Sequence, residues 1–173
     1  IAHAGRKGSM QRPWHGNGAI TPADIARGDK TWDIVGPTVE PMDEGFIAPH
    51  ALTPPEIQKL AAEWGDAAKR AIEAGLEIVE IHNAHGYLAH SFLSPISNHR
   101  TDHYGGPFDN RCRFALETAT AVRRVWPDRL PLAVRLSVTD WVDGGWTTDE
   151  SIELSKKLKA LGVDLIDCSS GFV

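Results

Sequence analysis

Beyond Thr53, apolar and polar positions follow two alternating periods. Ile57, Leu60, Ala61, Trp64, Ala68, Ala71 and Ile72 recur at the three- and four-residue spacing that lines one side of a helix. Thr53-Pro54-Pro55-Glu56 stands ahead of them. Threonine three residues before glutamate is a capping-box spacing, and proline fits the first turn because no N–H is needed there. Gly75 ends the run, since glycine adopts the left-handed conformation that closes helices. Residues 76–81 (Leu-Glu-Ile-Val-Glu-Ile) are short, apolar and rich in β-branched side chains, which predicts a strand.

The pattern then recurs. A helix is predicted over about 109–125, with Phe114, Val122 and Val125 inward, and Trp126-Pro127 ends it. A strand follows over 130–137. Thr147-Thr148-Asp149-Glu150 opens a third helix carrying Ile152, Leu154, Leu158 and Leu161 on its apolar side. Gly162 closes that helix and a strand runs over 163–169. Residues 74–81 match residues 161–168 in character at every position, an offset of 87 residues or two β-α units. Such a period fits a parallel α/β architecture, either a barrel or a doubly wound sheet. Residues 12–49 differ: five glycines, five prolines, Trp14 and Trp32 come with little periodicity, as in a functional loop, a small subdomain or a surface insertion.

Composition narrows the class. The chain has 173 residues, 42 % hydrophobic and 24 % charged, which suits a globular domain and excludes wholesale disorder. It contains no apolar run of membrane-spanning length. Lys plus Arg total 18 against 23 Asp plus Glu, a formal net charge of −5 that argues against a nucleic-acid backbone as partner. Cys112 and Cys168 alone make neither a disulfide scaffold nor a zinc site. Both are expected as buried thiols in a reducing, cytoplasmic compartment. The opening Ile1-Ala2-His3 suggests a fragment.

In parallel β/α folds ligands meet the carboxyl ends of the strands. After the first predicted strand comes His82-Asn83-Ala84-His85-Gly86-Tyr87. Two neutral imidazoles can hydrogen-bond a carbonyl or phenolate oxygen, and a nearby tyrosine can deliver a proton. Metal binding is the rival reading, with His90, His99 and His103 close in sequence. No Asp or Glu stands at a matching offset, and the pair lacks the helical spacing of zinc proteases, so no metal is assigned. Arg135 interrupts an otherwise apolar strand. Its guanidinium must meet an anionic ligand or pair with Asp140, Asp167 or Glu80. Residues 98–111 form a polar loop without a dinucleotide or nucleotide fingerprint, expected to be structural with Asp102 paired to Arg100 or Arg111.

His82-Asn83-Ala84-His85-Gly86-Tyr87-Leu88, Phe92-Leu93-Ser94-Pro95, Asn98, Arg100-Thr101-Asp102, Tyr104-Gly105-Gly106 and Asn110-Arg111 together resemble the Old Yellow Enzyme family. These are flavin-dependent ene-reductases on a TIM barrel. Ala2-His3-Ala4-Gly5-Arg6-Lys7 and Arg12-Pro13-Trp14 look most like its bacterial xenobiotic-reductase branch. Pro107 departs from the family's usual small serine.

The resemblance implies an α/β fold. It would be a partial TIM (β/α)₈ barrel holding about strands three to six of one domain, with 12–49 as a subdomain capping the mouth. It implies FMN as cofactor and NAD(P)H as reductant. His82 and His85 would hold the substrate carbonyl, Tyr87 would be the proton donor, and Arg135 would lie beside the flavin pyrimidine edge. Substrates would be small activated alkenes or quinones, with homo-oligomerisation left open. The family's flavin-amide glutamine is expected just before Ile1, and its phosphate-binding strands beyond Val173. A piece of that extent is expected to be inactive by itself. Alternative readings are a flavin-free half-barrel acting as an assembly or binding piece, and a metal-dependent β/α hydrolase.

Overall fold

The computed structural model describes residues 1–171 and 173. Residues 12–49 are not featureless. A 3₁₀ turn at Pro13–His15 leads to helix α1 (Pro22–Ala26), and a short strand β1 (Val35–Gly36) pairs in parallel with β2 (His50–Ala51). Thr21 and Asp24 cap α1 reciprocally, which makes so short a helix tenable. Another 3₁₀ turn, Gly5–Lys7, begins with Gly5 at φ +60°, where an added Cβ would meet Leu88 Cα at 2.8 Å.

Helix α2 (Pro54–Glu73) starts at the predicted capping box, with the Thr53 N–H donating to Glu56 at 2.7 Å. Ile57, Ala61, Trp64 and Ala68 are buried, while Leu60, Ala71 and Ile72 flank them half-buried. At Gly75, φ +78°, the chain reverses; the Gly75 N–H donates to Ile72 O and the Leu76 N–H to Ala71 O. Residues 76–78 are spent leaving this turn, so strand β3 spans Val79–Asn83 rather than 76–81. Leu76 and Ile78 are accordingly exposed.

Helix α3 (Leu88–Leu93) follows the histidine motif and is entirely buried; its six residues are too few for a periodic signal. Helix α4 (Phe108–Arg123), strand β4 (Leu132–Ser137), helix α5 (Thr148–Ala160) and strand β5 (Leu165–Ser169) complete the order, with ends within a few residues of expectation. Pro107 sits at the N-cap of α4, where the carbonyl accepts from Asn110 and Arg111 N–H groups.

Strands β3, β4 and β5 form a parallel sheet in that order. Ile1 extends it: its α-amine donates to Glu80 O and its carbonyl accepts from the His82 N–H at 2.9 Å. One face carries Val79, Ile81, Leu132, Val134 and Leu136, all buried. On the same side of the chain Phe92, Phe114, Ala115, Val122 and Leu158 complete one core. The opposite face carries Glu80, His82, Arg135 and Asp167. A sheet with an apolar helix-covered face and a chemically loaded inner face is the arrangement of a barrel wall.

The register agrees. Residue 166 matches 79 in the sequence repeat, yet Ile166 lies across Val134 from Ile81. That is a stagger of two residues over two strand steps, the shear of an eight-stranded TIM barrel.

Two expectations fail locally. Ile152 is exposed rather than inward, and Cys168 is an exposed thiol, whereas Cys112 is fully buried. Both Ile152 and Cys168 line a groove of about 840 Å³ with Val163 and Leu165, over which no described element packs. Among the described residues no helix is long and apolar enough to cross a membrane.

Candidate functional site

His82 is on strand β3, not in a loop, so its placement follows from sheet register. It pairs with Arg135, which pairs with Asp167, giving one row of three ionisable side chains across the inner face. After Asn83 the backbone turns through two successive left-handed residues, His85 at φ +59° and Gly86 at φ +69°. Glycine adopts this freely; a residue with a Cβ does so at a cost. The turn folds the motif back on itself. The His85 ring stands edge-on to His82 at 5.1 Å, and the Tyr87 ring edge-on to His82 at 5.2 Å. The three predicted side chains therefore meet at the carboxyl end of β3.

Hydrogen bonds hold each part. The Ala84 N–H donates to His82 Nδ1 at 3.3 Å, which leaves the proton on Nε2 and makes that nitrogen a donor. The His85 N–H donates to Ser137 Oγ at 3.0 Å, and Ser137 Oγ donates onward to Gly171 O at 3.0 Å. His85 Nε2 lies 2.5 Å from Ser169 Oγ. Lys7 Nζ donates to His85 O at 2.6 Å and lies 5.8 Å from the Tyr87 ring centroid.

The electrostatics keep both imidazoles neutral. Burial, then the neighbouring His85 and Arg135, lowers the His82 pKa to about 4. Burial and Arg135 lower His85 as well. Lys7 is lowered to about 8 by burial and by Arg6. On the acidic side, burial and Asp167 raise the Glu80 carboxyl. Of the three partners considered for Arg135, Asp167 is the one in contact, with Nε 3.4 Å from its carboxylate. The Arg135 Nε is nonetheless buried without a hydrogen bond, and the guanidinium reaches the open inner face. The side chain therefore presents positive charge on the inner face, in the row of His82.

The other histidines part company. His90 is buried against Asp140 at 3.0 Å, His99 is exposed beside Glu40, and His103 packs on Tyr104. Among the described residues no group of three or more His, Cys, Asp or Glu is placed to hold a metal ion. The 98–111 loop is structural: Arg100 binds Asp102 and the carbonyls of Pro37 and Leu52, and Asn98 donates to Phe92 O and Tyr104 O. Arg111 binds Glu150 and the carbonyls of Leu93 and Gly106 rather than Asp102.

Sequence reasoning missed Lys7, Ser137, Ser169 and the His90–Asp140 pair as parts of this site. Ser137 and Ser169 are the last residues of β4 and β5, so their positions at strand ends were the available signal.

The chain is similar to known proteins. The profile of the NADH:flavin oxidoreductase / NADH oxidase family matches residues 1–172. An NADPH dehydrogenase of Bacillus velezensis is 44 % identical over 171 residues, covering 99 % of this chain and 44 % of the relative. The chain thus spans less than half the length of the curated relatives it matches. A solved 2-naphthoyl-CoA reductase in complex with 2-naphthoyl-CoA superposes with TM-score 0.80 at 33 % identity, over 99 % of this chain and 26 % of that one. Morphinone reductase in complex with tetrahydroNAD superposes with TM-score 0.70 at 27 % identity, over 79 % and 42 %.

Proposed function

The chain belongs to the NADH:flavin oxidoreductase / NADH oxidase family, and from that membership we propose that it carries the substrate-binding wall of an FMN-dependent NAD(P)H oxidoreductase. Its reaction would be reduction of an activated C=C bond, in an enone or quinone, with these strands forming the central part of a single barrel domain. The observation that carries the reading is the convergence of His82, His85 and Tyr87 at one strand end, with His82 Nε2–H left as a donor.

When bound, FMN supplies to the β-carbon a hydride drawn from NAD(P)H. Negative charge then grows on the substrate carbonyl oxygen. His82, neutral because its pKa is depressed, donates its Nε2–H to that oxygen, and His85 supports it from the adjacent edge. Donors fixed in place before the charge develops stabilise it without reorganisation. The Tyr87 hydroxyl delivers a proton to the α-carbon, so hydride and proton together saturate the bond. Arg135, paired with Asp167 at 3.4 Å, would be the residue that holds positive charge toward the reduced cofactor.

The test is anaerobic NADPH-driven reduction of cyclohexenone by the FMN-loaded complete gene product. Saturated ketone formed in step with NADPH consumed supports the reading. Flavin binding with NADPH oxidation but no alkene reduction, for enones and quinones alike, overturns it.

A further inference from the structure

We infer that Asp140 and His90 are positioning residues that fix the shape of the 84–87 turn; this rests on the reading above, in which His82, His85 and Tyr87 meet the substrate. Neither group reaches the inner face: both side chains are wholly buried. His90 Nδ1 accepts the Gly86 N–H at 2.8 Å, and Gly86 is the residue between His85 and Tyr87. An amide N–H can only donate, so Nδ1 carries no proton and Nε2 does. That Nε2–H donates to Asp140 Oδ1 at 3.0 Å. Asp140 Oδ2 in turn accepts from Ser94 Oγ at 2.6 Å and the Trp146 N–H at 2.7 Å.

Three donors thus converge on two carboxylate oxygens. An ionised carboxylate accepts from all of them and has no buried O–H of its own to satisfy. Burial works against that ionisation, but bonds from His90, Ser94 and Trp146 outweigh it and hold the Asp140 pKa below the usual carboxylate range. Gly145 lets the 140–146 loop close on this group, since an added Cβ would stand 2.9 Å from Asp140 Oδ2. The consequence runs in one direction: carboxylate fixes imidazole tautomer, tautomer presents a bare nitrogen to Gly86, and that bond secures two left-handed residues in a row. The loops after β3 and β4 are fastened together through the pair.

An amide at 140 cannot reproduce this. Its NH₂ must face either the Trp146 N–H, donor against donor, or His90 Nε2. The second choice moves the imidazole proton to Nδ1, where it opposes the Gly86 N–H.

The experiment combines imidazole nitrogen NMR with kinetics on the FMN-loaded complete gene product. In the unaltered protein His90 shows a bare Nδ1 and a protonated Nε2. Asp140→Asn and His90→Phe bind FMN normally yet lose roughly 100-fold in kcat for cyclohexenone, the scale of a catalytic group displaced by about an ångström. His90→Asn, whose side-chain oxygen takes the place of Nδ1, recovers most of that rate. A protonated Nδ1 in the unaltered protein overturns the inference whatever the variants do. So does equal kcat in Asp140→Asn and unaltered protein, or equal loss in His90→Phe and His90→Asn. An unaltered protein with the stated tautomer but no enone turnover overturns the functional reading alone.

Discussion

His85 Nε2 lies 2.5 Å from Ser169 Oγ, so the turn after β3 is tied to the end of β5, two strands away. The bond is one of the contacts that set the orientation of the imidazole. Ser169→Ala is expected to raise KM for cyclohexenone roughly fivefold, the worth of about 1 kcal/mol for one hydrogen bond, with FMN content unchanged. Ser169→Thr keeps the hydroxyl and should stay near the starting value. Steady-state kinetics on both variants decide it; an unchanged KM in Ser169→Ala removes the orienting role.

Replacing His82 or His85 with alanine should weaken transition-state binding of enones by roughly 2–4 kcal/mol, because the first removes the Nε2–H offered to the developing enolate oxygen and the second removes the ring packed edge-on beside it. The loss should appear in kcat/KM for enone reduction. Ordinary enone kinetics in both variants would falsify the assignment.

Tyr87→Phe should leave flavin content and flavin reduction intact and slow the oxidative half-reaction with enones. The hydroxyl serves only when the α-carbon takes a proton. Quinones, whose reduced oxygens collect protons from water, should be spared. Stopped-flow traces with the two substrate classes separate these cases, and equal slowing with both would contradict a proton-donor role.

His82 also makes a pH signature. Its folded pKa of about 4 lies below the ordinary value of 6.5. Between the two the unfolded chain binds more protons than the folded one. The His82 contribution is therefore fully present above pH 6.5, falls as pH drops toward 4, and levels off below that. His85, also lowered, adds in the same sense. Denaturant midpoints at about pH 7 and about pH 5 should differ less in His82→Gln than in the unaltered protein. An identical pH dependence would show that His82 is not desolvated.

Gly105→Ala should damage folding rather than chemistry. The added Cβ would lie 2.4 Å from Arg100 O and 2.5 Å from Arg100 Cβ. Arg100 cannot yield, because its guanidinium is bound to Asp102 and to the carbonyls of Pro37 and Leu52. A loss of about 1–3 kcal/mol is expected from such overpacking, read as a lower thermal midpoint.

The long helices and the parallel sheet were legible because their signals are local and redundant. The stripe of α2 has a cap at Thr53 and a stop at Gly75, and both act in the structure as the sequence indicates. The strand shift to Val79–Asn83 was not legible, because leaving the Gly75 turn consumes Leu76, Glu77 and Ile78, which repeat the apolar-Glu-apolar pattern of Val79-Glu80-Ile81 in the strand itself. His82, His85 and Tyr87 could be picked out as polar groups where a strand ends, and Arg135 as a charge inside an apolar strand. Asp140 could not be paired with His90, since a partner fifty residues away is chosen by which two loops the sheet brings together. For the same reason Cys168 looks in sequence like any buried strand cysteine, and only the uncovered side of β5 exposes it.

The stagger between repeat and register has a chemical result. Glu80 and Asp167 occupy the same place in the two copies of the repeated β-α pattern. In a flush sheet they would share one row, with Ala133 between them and no cation. The slide of one residue per strand instead carries Asp167 into the row of His82 and beside Arg135, while Glu80 stays in the row of Ala133 and Leu165. A duplicated acidic position thereby acquires two unlike roles: one carboxylate paired with a guanidinium, the other pushed toward its protonated form by burial and by that first carboxylate. Tilt, with an acidic side chain kept at both positions, turns a repeated sequence into an asymmetric charge pattern.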